Sequence, residues 1–157
     1  MSNCSVKVFS HVLTDDQCQS LIDMIDANQD QADVRYSGIS IPSNRILGLG
    51  EPLTVRELLA PYELETLRFS RMQRGDRHIL HRDNQKLDGT PNHTPNRKAG
   101  LVIYLNQDFS GGELVFPDCG VEITPKTGLA VWMPGDVSHE VKSVFNGTRY
   151  AITAWAV

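Results

Sequence analysis

The sequence predicts a mostly β (α+β) fold, a double-stranded β-helix or jelly roll with helices flanking it on the N-terminal side. Three observations lead there. From Glu65 onward the chain divides into short runs rich in Val, Ile, Tyr, Phe and Trp. Gly, Pro, Asn and Asp punctuate the gaps, as in GDRH, DFSGG, FPDCG, PKTG, MPGD and FNGT. Helices do not alternate with these runs, so a sandwich or barrel is favoured over a parallel α/β sheet. A length of 157 residues suits one domain. It is expected to span 1–157, with about 1–64 as helical support and about 65–157 as the jelly-roll core.

In chain order, the opening MSNCSVKVFSH holds no apolar run of signal-peptide length. Thr14 followed by Gln17 forms a capping-box pattern, and Cys18, Leu21, Ile22 and Ile25 repeat on one helical face, giving a helix over Asp15–Ala27. Pro52 and Thr54 open a second short helix carrying Val55, Leu58 and Leu59 and ending near Pro61. Strands follow in LRFSRM, LVIYLN, ELVF, VEIT, LAVWM, HEVKSV and RYAITAW. The polar stretch NQKLDGTPNHTPNRK, residues 84–98, has no periodicity, and a loop of that length in a small domain is usually functional or mobile.

Composition narrows the partners. With 15 Lys+Arg against 19 Asp+Glu, the net charge is -4, and no basic stripe gathers anywhere, which weighs against nucleic acid. Three cysteines, Cys4, Cys18 and Cys119, are odd in number and form no Cys-x-x-Cys, so neither a disulfide framework nor a structural zinc site is indicated. A cytoplasmic location is therefore expected. No segment approaches the roughly 20 apolar residues of a membrane span, and no membrane partner is expected.

The chemistry concentrates in His81 and Asp83, the one His-x-Asp of the chain. Residues two apart in a strand share a face, so an imidazole and a carboxylate project together. His139, after the PGD turn, can complete the set. Two histidines and one carboxylate on one face of an octahedron leave open positions opposite, which suits a non-haem Fe(II) oxygenase. A closed four-ligand zinc site would leave none. His11 and His93 read as solvated, and His78, three before His81, is expected to face another way and lie exposed. It remains a candidate for touching substrate.

A diacid co-substrate bound through its keto-acid end needs its far carboxylate neutralised, and a guanidinium does this while staying charged. Arg149 lies ten residues after His139 at the start of RYAITAW, which places it on the neighbouring strand, facing inward. Tyr104 and Thr153 are inward candidates for hydroxyl contacts to the same carboxylate, and Trp155 for a pocket wall, with core packing as the alternative for each.

Taken together, HRD at 81–83, RKAGLVIYLN at 97–106, FSGGELVFP at 109–117, PKTG, His139 and GTRYAITAW resemble the 2-oxoglutarate oxygenases of the prolyl hydroxylase group. The likeness is greatest to the oxygen-sensing prolyl hydroxylases, and VKVFSHVLTDDQCQSLIDMID resembles the helical opening of prolyl 4-hydroxylases. The resemblance implies catalytic iron ligands at His81, Asp83 and His139, and co-substrate contacts at Arg149, Tyr104, Thr153, Val141 and Trp155. It also puts Arg97 near the substrate mouth and a mobile lid at 84–96. Fe(II), 2-oxoglutarate and O2 are the implied cofactors, with ascorbate (vitamin C) a further candidate. The implied reaction hydroxylates an unactivated C–H bond, that of a peptide or protein proline, with release of succinate and CO2. An apolar wall of Leu101, Leu114, Val131 and Val141 is expected around the centre.

Two departures stand out. Arg71, Met72 and His78 occupy positions that in this group often carry tyrosines, so contacts there do not transfer. Retention of Asp83 argues against the related halogenases. Three alternatives remain. One is an oxygenase of a free amino acid or other small metabolite, and another is a non-enzymatic jelly-roll binding module. The third, a nucleic-acid demethylase, typically carries a second arginine where this chain has Trp155.

Overall fold

The computed structural model describes residues 4–33, 37–46 and 53–157. Its main feature is a six-stranded antiparallel sheet in the order β1 (Lys7–Phe9), β9 (Ala130–Pro134), β5 (Ala99–Tyr104), β12 (Arg149–Ala156), β3 (Leu64–Met72) and β2 (Ile39–Pro42). A four-stranded sheet runs β4 (His78–His81), β10 (His139–Val141), β7 (Leu114–Phe116) and β8 (Val121–Ile123). A short pair, β6 (Ser110–Gly111) with β11 (Val144–Asn146), completes a jelly roll.

Alternation along the strands sorts side chains between two cores. On β12, Ile152, Ala154 and Ala156 face outward and meet Cys18 and Ile25 of α1 (Asp15–Ala27) and Val55 and Leu59 of α2 (Leu53–Leu59), with Leu67, Phe69 and Ile103. Ala151 faces inward and joins Met72, Val102, Tyr104, Val131 and Met133 against Leu114, Phe116, Val141 and Val144 of the opposing strands. The inner cluster holds the two sheets together, and the outer one fastens the helices.

Helix α1 occupies Asp15–Ala27 as the sequence predicts, with its capping box made in both directions. Gln17 N–H donates to Thr14 Oγ1 at 3.1 Å, and Thr14 N–H to Gln17 Oε1 at 2.9 Å. The proline expected to open the second helix, Pro52, lies outside the described residues.

Three expectations need correction. The segment before residue 65 is not purely helical, because β1 and β2 supply both edges of the main sheet. Three or four residues are too few for alternation to show. The single strand expected in HEVKSV is two, β10 and β11. The chain leaves β7 after Lys142 N–H bonds Glu113 O at 2.9 Å, and then pairs with Gly111. Finally, Cys4 and Cys119 form a disulfide across 115 residues of sequence. It joins the chain ahead of β1 to the 3-10 turn Pro117–Cys119 between β7 and β8, leaving Cys18 as the free, buried thiol. The cysteine pattern therefore no longer supports the expected cytoplasmic location. Among the described residues, no helix is long and apolar enough to cross a membrane.

Candidate metal centre and its cavity

His81 and His139 are cross-strand partners on β4 and β10, so their rings stand side by side with centroids 4.3 Å apart. Asp83 reaches them differently from the expected i, i+2 strand geometry, since β4 ends at His81. The N–H groups of Asp83 and Asn84 both donate to the Gly135 carbonyl, each at 3.1 Å, and this bend turns the carboxylate back. Asp83 Oδ1 lies 3.4 Å from His81 Nε2 and 3.5 Å from His139 Nε2, and the three donor atoms fall within 4.8 Å of one another.

The surroundings orient these groups. His81 Nδ1 lies 2.7 Å from Ile79 O, and His139 Nδ1 lies 3.0 Å from Val137 O. A carbonyl can only accept, so each Nδ1 carries a proton, and this fixes each ring with its Nε2 turned to the centre. The Asp83 carbonyl accepts from Asn92 Nδ2 at 3.0 Å and Thr94 Oγ1 at 2.7 Å. Opposite the carboxylate, residue 100 is a glycine, and a Cβ there would lie 2.9 Å from Asp83 Oδ2 and press on it.

Electrostatics favour an ionised carboxylate among imidazoles. Burial would raise the Asp83 pKa, but the hydrogen bond from His81 and the charges of His139, His81 and Arg97 bring it below its ordinary value. Burial resists protonation of His81, yet bonding to Asp83 carries its pKa above the ordinary value. Burial keeps His139 below it, despite the pull of Asp83. Two Nε2 atoms and one carboxylate oxygen, once a cation takes the place of the proton that His81 shares with Asp83, form a donor set for a divalent transition metal.

A cavity of about 340 Å³ opens from these groups. Arg149 lines it, 2% exposed, with no carboxylate partner among the described residues. Its Nε donates to Gly112 O at 3.3 Å, and Nη1 approaches Met72 Sδ at 3.4 Å. The Tyr104 ring lies 5.3 Å from the guanidinium carbon, and its buried hydroxyl has no hydrogen-bond partner among the described residues. Arg149 is on β12 of the main sheet whereas His139 is on β10 of the smaller one. It therefore faces the histidine across the barrel and is not on the neighbouring strand as expected, because β11 carries the chain between sheets.

Thr153, Trp155 and Val141 line the cavity too, while Tyr104 stands behind Arg149. Of the expected apolar wall, Leu114, Val141 and Leu101 border the cavity, although Leu101 is packed in the outer core. Val131 is buried in the inner core and does not border it. His78 corrects another expectation: it is half-buried and lines the cavity. The pairing of β4 with β10 shifts register between His139↔His81 and Val141↔His78, and that irregularity turns residues three apart toward one side. Burial, then the charge of Arg149 and the two neighbouring imidazoles, push its pKa down to about 4.

Arg97 borders a separate, polar cavity with Thr66, His93 and Thr94. Its guanidinium pairs with Glu65 at 2.9 Å and stacks 4.4 Å above Trp155, the residue both cavities share with Arg68. The stretch expected as a lid is fastened through Asn92 and Thr94, and Asn84 Nδ2 donates to Arg97 O at 3.0 Å. Sequence reading missed Ser40, Arg68, Ser70 and Arg77, all on the cavity wall. Arg68, Ser70 and Met72 share the inward parity of LRFSRM, opposite Leu67 and Phe69, so alternation was an available signal for two of them.

The family model of the 2OG-Fe(II) oxygenase superfamily matches residues 67–157. Prolyl 3-hydroxylase 2 of Gallus gallus is 33% identical over 50% of this chain and 13% of its own length. A PKHD-type hydroxylase of Acaryochloris marina is 31% identical over 62% of this chain and 44% of its own. The chain thus spans less than half the length of either relative. In fold, it is similar to a viral collagen prolyl hydroxylase from Paramecium Bursaria Chlorella virus-1, solved with 2OG, at 22% identity and a TM-score of 0.73. That match covers 97% of this chain and 96% of the other. A Pseudomonas putida prolyl-4-hydroxylase gives 22% identity and a TM-score of 0.72, over 96% and 91%.

Proposed function

We propose, from the premise that this chain belongs to the 2OG-Fe(II) oxygenase superfamily, that it hydroxylates a C–H bond of proline in a peptide or protein substrate. The observation that carries this reading is the convergence of His81, Asp83 and His139 within 4.8 Å, on a cavity whose other wall holds a buried Arg149 with no carboxylate partner among the described residues. Fe(II), 2-oxoglutarate and O2 are the metal and co-substrates of the family. Both halves of the cavity fit them. The donor set suits Fe(II) and leaves one face open. A buried guanidinium on the cavity wall, with the Tyr104 ring 5.3 Å from it, supplies the donors that a dicarboxylate's far end requires.

When bound, the metal, 2-oxoglutarate and O2 together supply the oxidation, with succinate and CO2 as co-products. The protein's part is placement. His81, Asp83 and His139 hold the metal from one side, their imidazoles fixed by the Ile79 and Val137 carbonyls. Arg149, aided by Tyr104 and Thr153, anchors and orients the diacid. Val141, Leu114 and Trp155 restrict water around the reacting groups. The proline part of the proposal draws on the names of the curated relatives, a prolyl 3-hydroxylase and a PKHD-type hydroxylase.

Anaerobically purified protein tests both halves. His81→Ala should lose stoichiometric Fe(II). Arg149→Leu should keep the metal but raise the KM for 2-oxoglutarate on the order of 100-fold, the effect of removing one partner of a buried charge pair. Mass spectrometry should find one added oxygen on proline peptides. Equal iron in wild type and His81→Ala would remove the metal assignment, and succinate release without peptide oxidation would remove the proline assignment.

A further inference from the structure

The rim of the cavity carries a charge that its depths do not use. Its lining includes three arginines, Arg68, Arg77 and Arg149, and a single carboxylate, Asp83, in a chain whose net charge is -4. Arg68 is matched by Asp33 at 3.1 Å. On the functional reading above, on which this inference rests, Arg149 is matched by the co-substrate's far carboxylate. Asp83 and the diacid together offset the metal and Arg149. Setting the imidazoles aside, Arg77 is left over. Its side chain is exposed at the mouth, and among the described residues its guanidinium has no hydrogen bond or ion pair.

The backbone beneath Arg77 is held in place. Arg77 N–H donates to Ser37 Oγ at 3.2 Å, and Ser37 Oγ donates to Asp76 Oδ1 at 3.4 Å. Asp76 Oδ2 in turn accepts from Gln73 N–H at 2.8 Å, so the adjacent carboxylate is committed to its own turn. Beside Arg77 on the rim stands Ile79, 68% exposed, an apolar surface next to a cation.

We propose that Arg77 is a specificity-determining residue that pairs with a carboxylate on the substrate, while Ile79 contacts the apolar part of the group carrying the target bond. The carboxylate has two possible sources: an acidic side chain next to the target in a peptide, or the α-carboxylate of a free amino acid. Chain loaded with Mn(II) and N-oxalylglycine can be titrated with matched peptides bearing one proline flanked by Glu or by Gln, and with L-proline against L-prolinamide.

Wild type should bind the acidic member of one pair about fivefold more tightly at low salt, as expected for an exposed ion pair. The difference should vanish in Arg77→Gln and shrink at high salt. Discrimination within the peptide pair identifies an acidic side chain, and within the amino-acid pair a free carboxylate. Equal binding within both pairs in wild type, or discrimination that survives Arg77→Gln, overturns the proposal. Turnover by the Fe(II) enzyme reports separately on the prolyl reading: succinate without oxygen on any proline probe defeats that reading, whatever the charge preference in binding.

Discussion

Asp83 can occupy the centre because its neighbour across the barrel has no side chain. A Cβ on residue 100 would come within 2.9 Å of Asp83 Oδ2, and Met133 Cγ at 3.4 Å closes the other direction. Gly100→Ala should therefore leave the sheet intact and displace the carboxylate by a few tenths of an ångström. Metal affinity should fall about 10- to 100-fold, the usual cost of disturbing a ligand's support. Titration with Co(II) beside a circular dichroism spectrum checks this, and unchanged affinity would mean that the carboxylate gives way to the added methyl group without cost, so that residue 100 does not set its position.

His78 makes a different prediction at the same scale. Its pKa of about 4 in the folded chain lies below the ordinary histidine value near 6.5. Between those values the unfolded chain binds a proton that the folded chain refuses. Stability should then decline as pH falls from about 6.5 toward 4 and lose nothing more from this residue below that. His78→Leu should flatten that decline in urea titrations at pH 7, 5 and 4. A decline of the same slope in the variant would assign it to other groups.

Among the elements, legibility followed length and local chemistry. Helix α1 was readable to the residue because its start is written in Thr14 and Gln17 and its face in Cys18 and Ile25. The long strands β3, β5 and β12 showed as runs rich in β-branched and aromatic residues between turn signals, and Arg149 and Thr153 of β12 were read as inward-facing, where both line the cavity. Strands β1 and β2 did not, since their pairing with β9 and β3 is tertiary. The triplet proposed to hold the metal, His81, Asp83 and His139, could be named from residue types, whereas the geometry that brings it together could not. The bend that carries Asp83 depends on the carbonyl of Gly135, and the inward turn of His78 on a register shift opposite β10.

The stretch 84–98 shows the same limit, because its fastening runs through the carbonyl of Asp83. Replacing Asn92 by Ala and Thr94 by Val should cost about 1 kcal/mol for each lost hydrogen bond. Amide exchange should rise across 84–98 and leave β12 unchanged. Uniform exchange through both regions would show that the stretch opens only with the whole domain.

For the whole molecule, two different agents hold the sheets together. The inner core packs Met72, Val102 and Met133 against Leu114, Phe116 and Val141, and it surrounds the site directly. The Cys4–Cys119 bond acts at a distance, tying the edge of the main sheet to the β7–β8 turn. Asp118, beside Cys119, accepts a hydrogen bond from Ser138 Oγ at 3.0 Å, and Ser138 precedes His139. The positions of His81 and Asp83, however, are fixed by β10 and by the Gly135 carbonyl, which the disulfide does not touch. Closing a loop across 115 residues removes unfolded-state entropy worth up to about 5 kcal/mol in the chain-entropy model. Cys4→Ser should accordingly lower unfolding stability by about 2–4 kcal/mol while Co(II) affinity changes little. Thiol titration of the native wild type should find only the buried Cys18. If all three cysteines react in the native protein and the urea midpoints of wild type and Cys4→Ser coincide, packing alone joins the sheets.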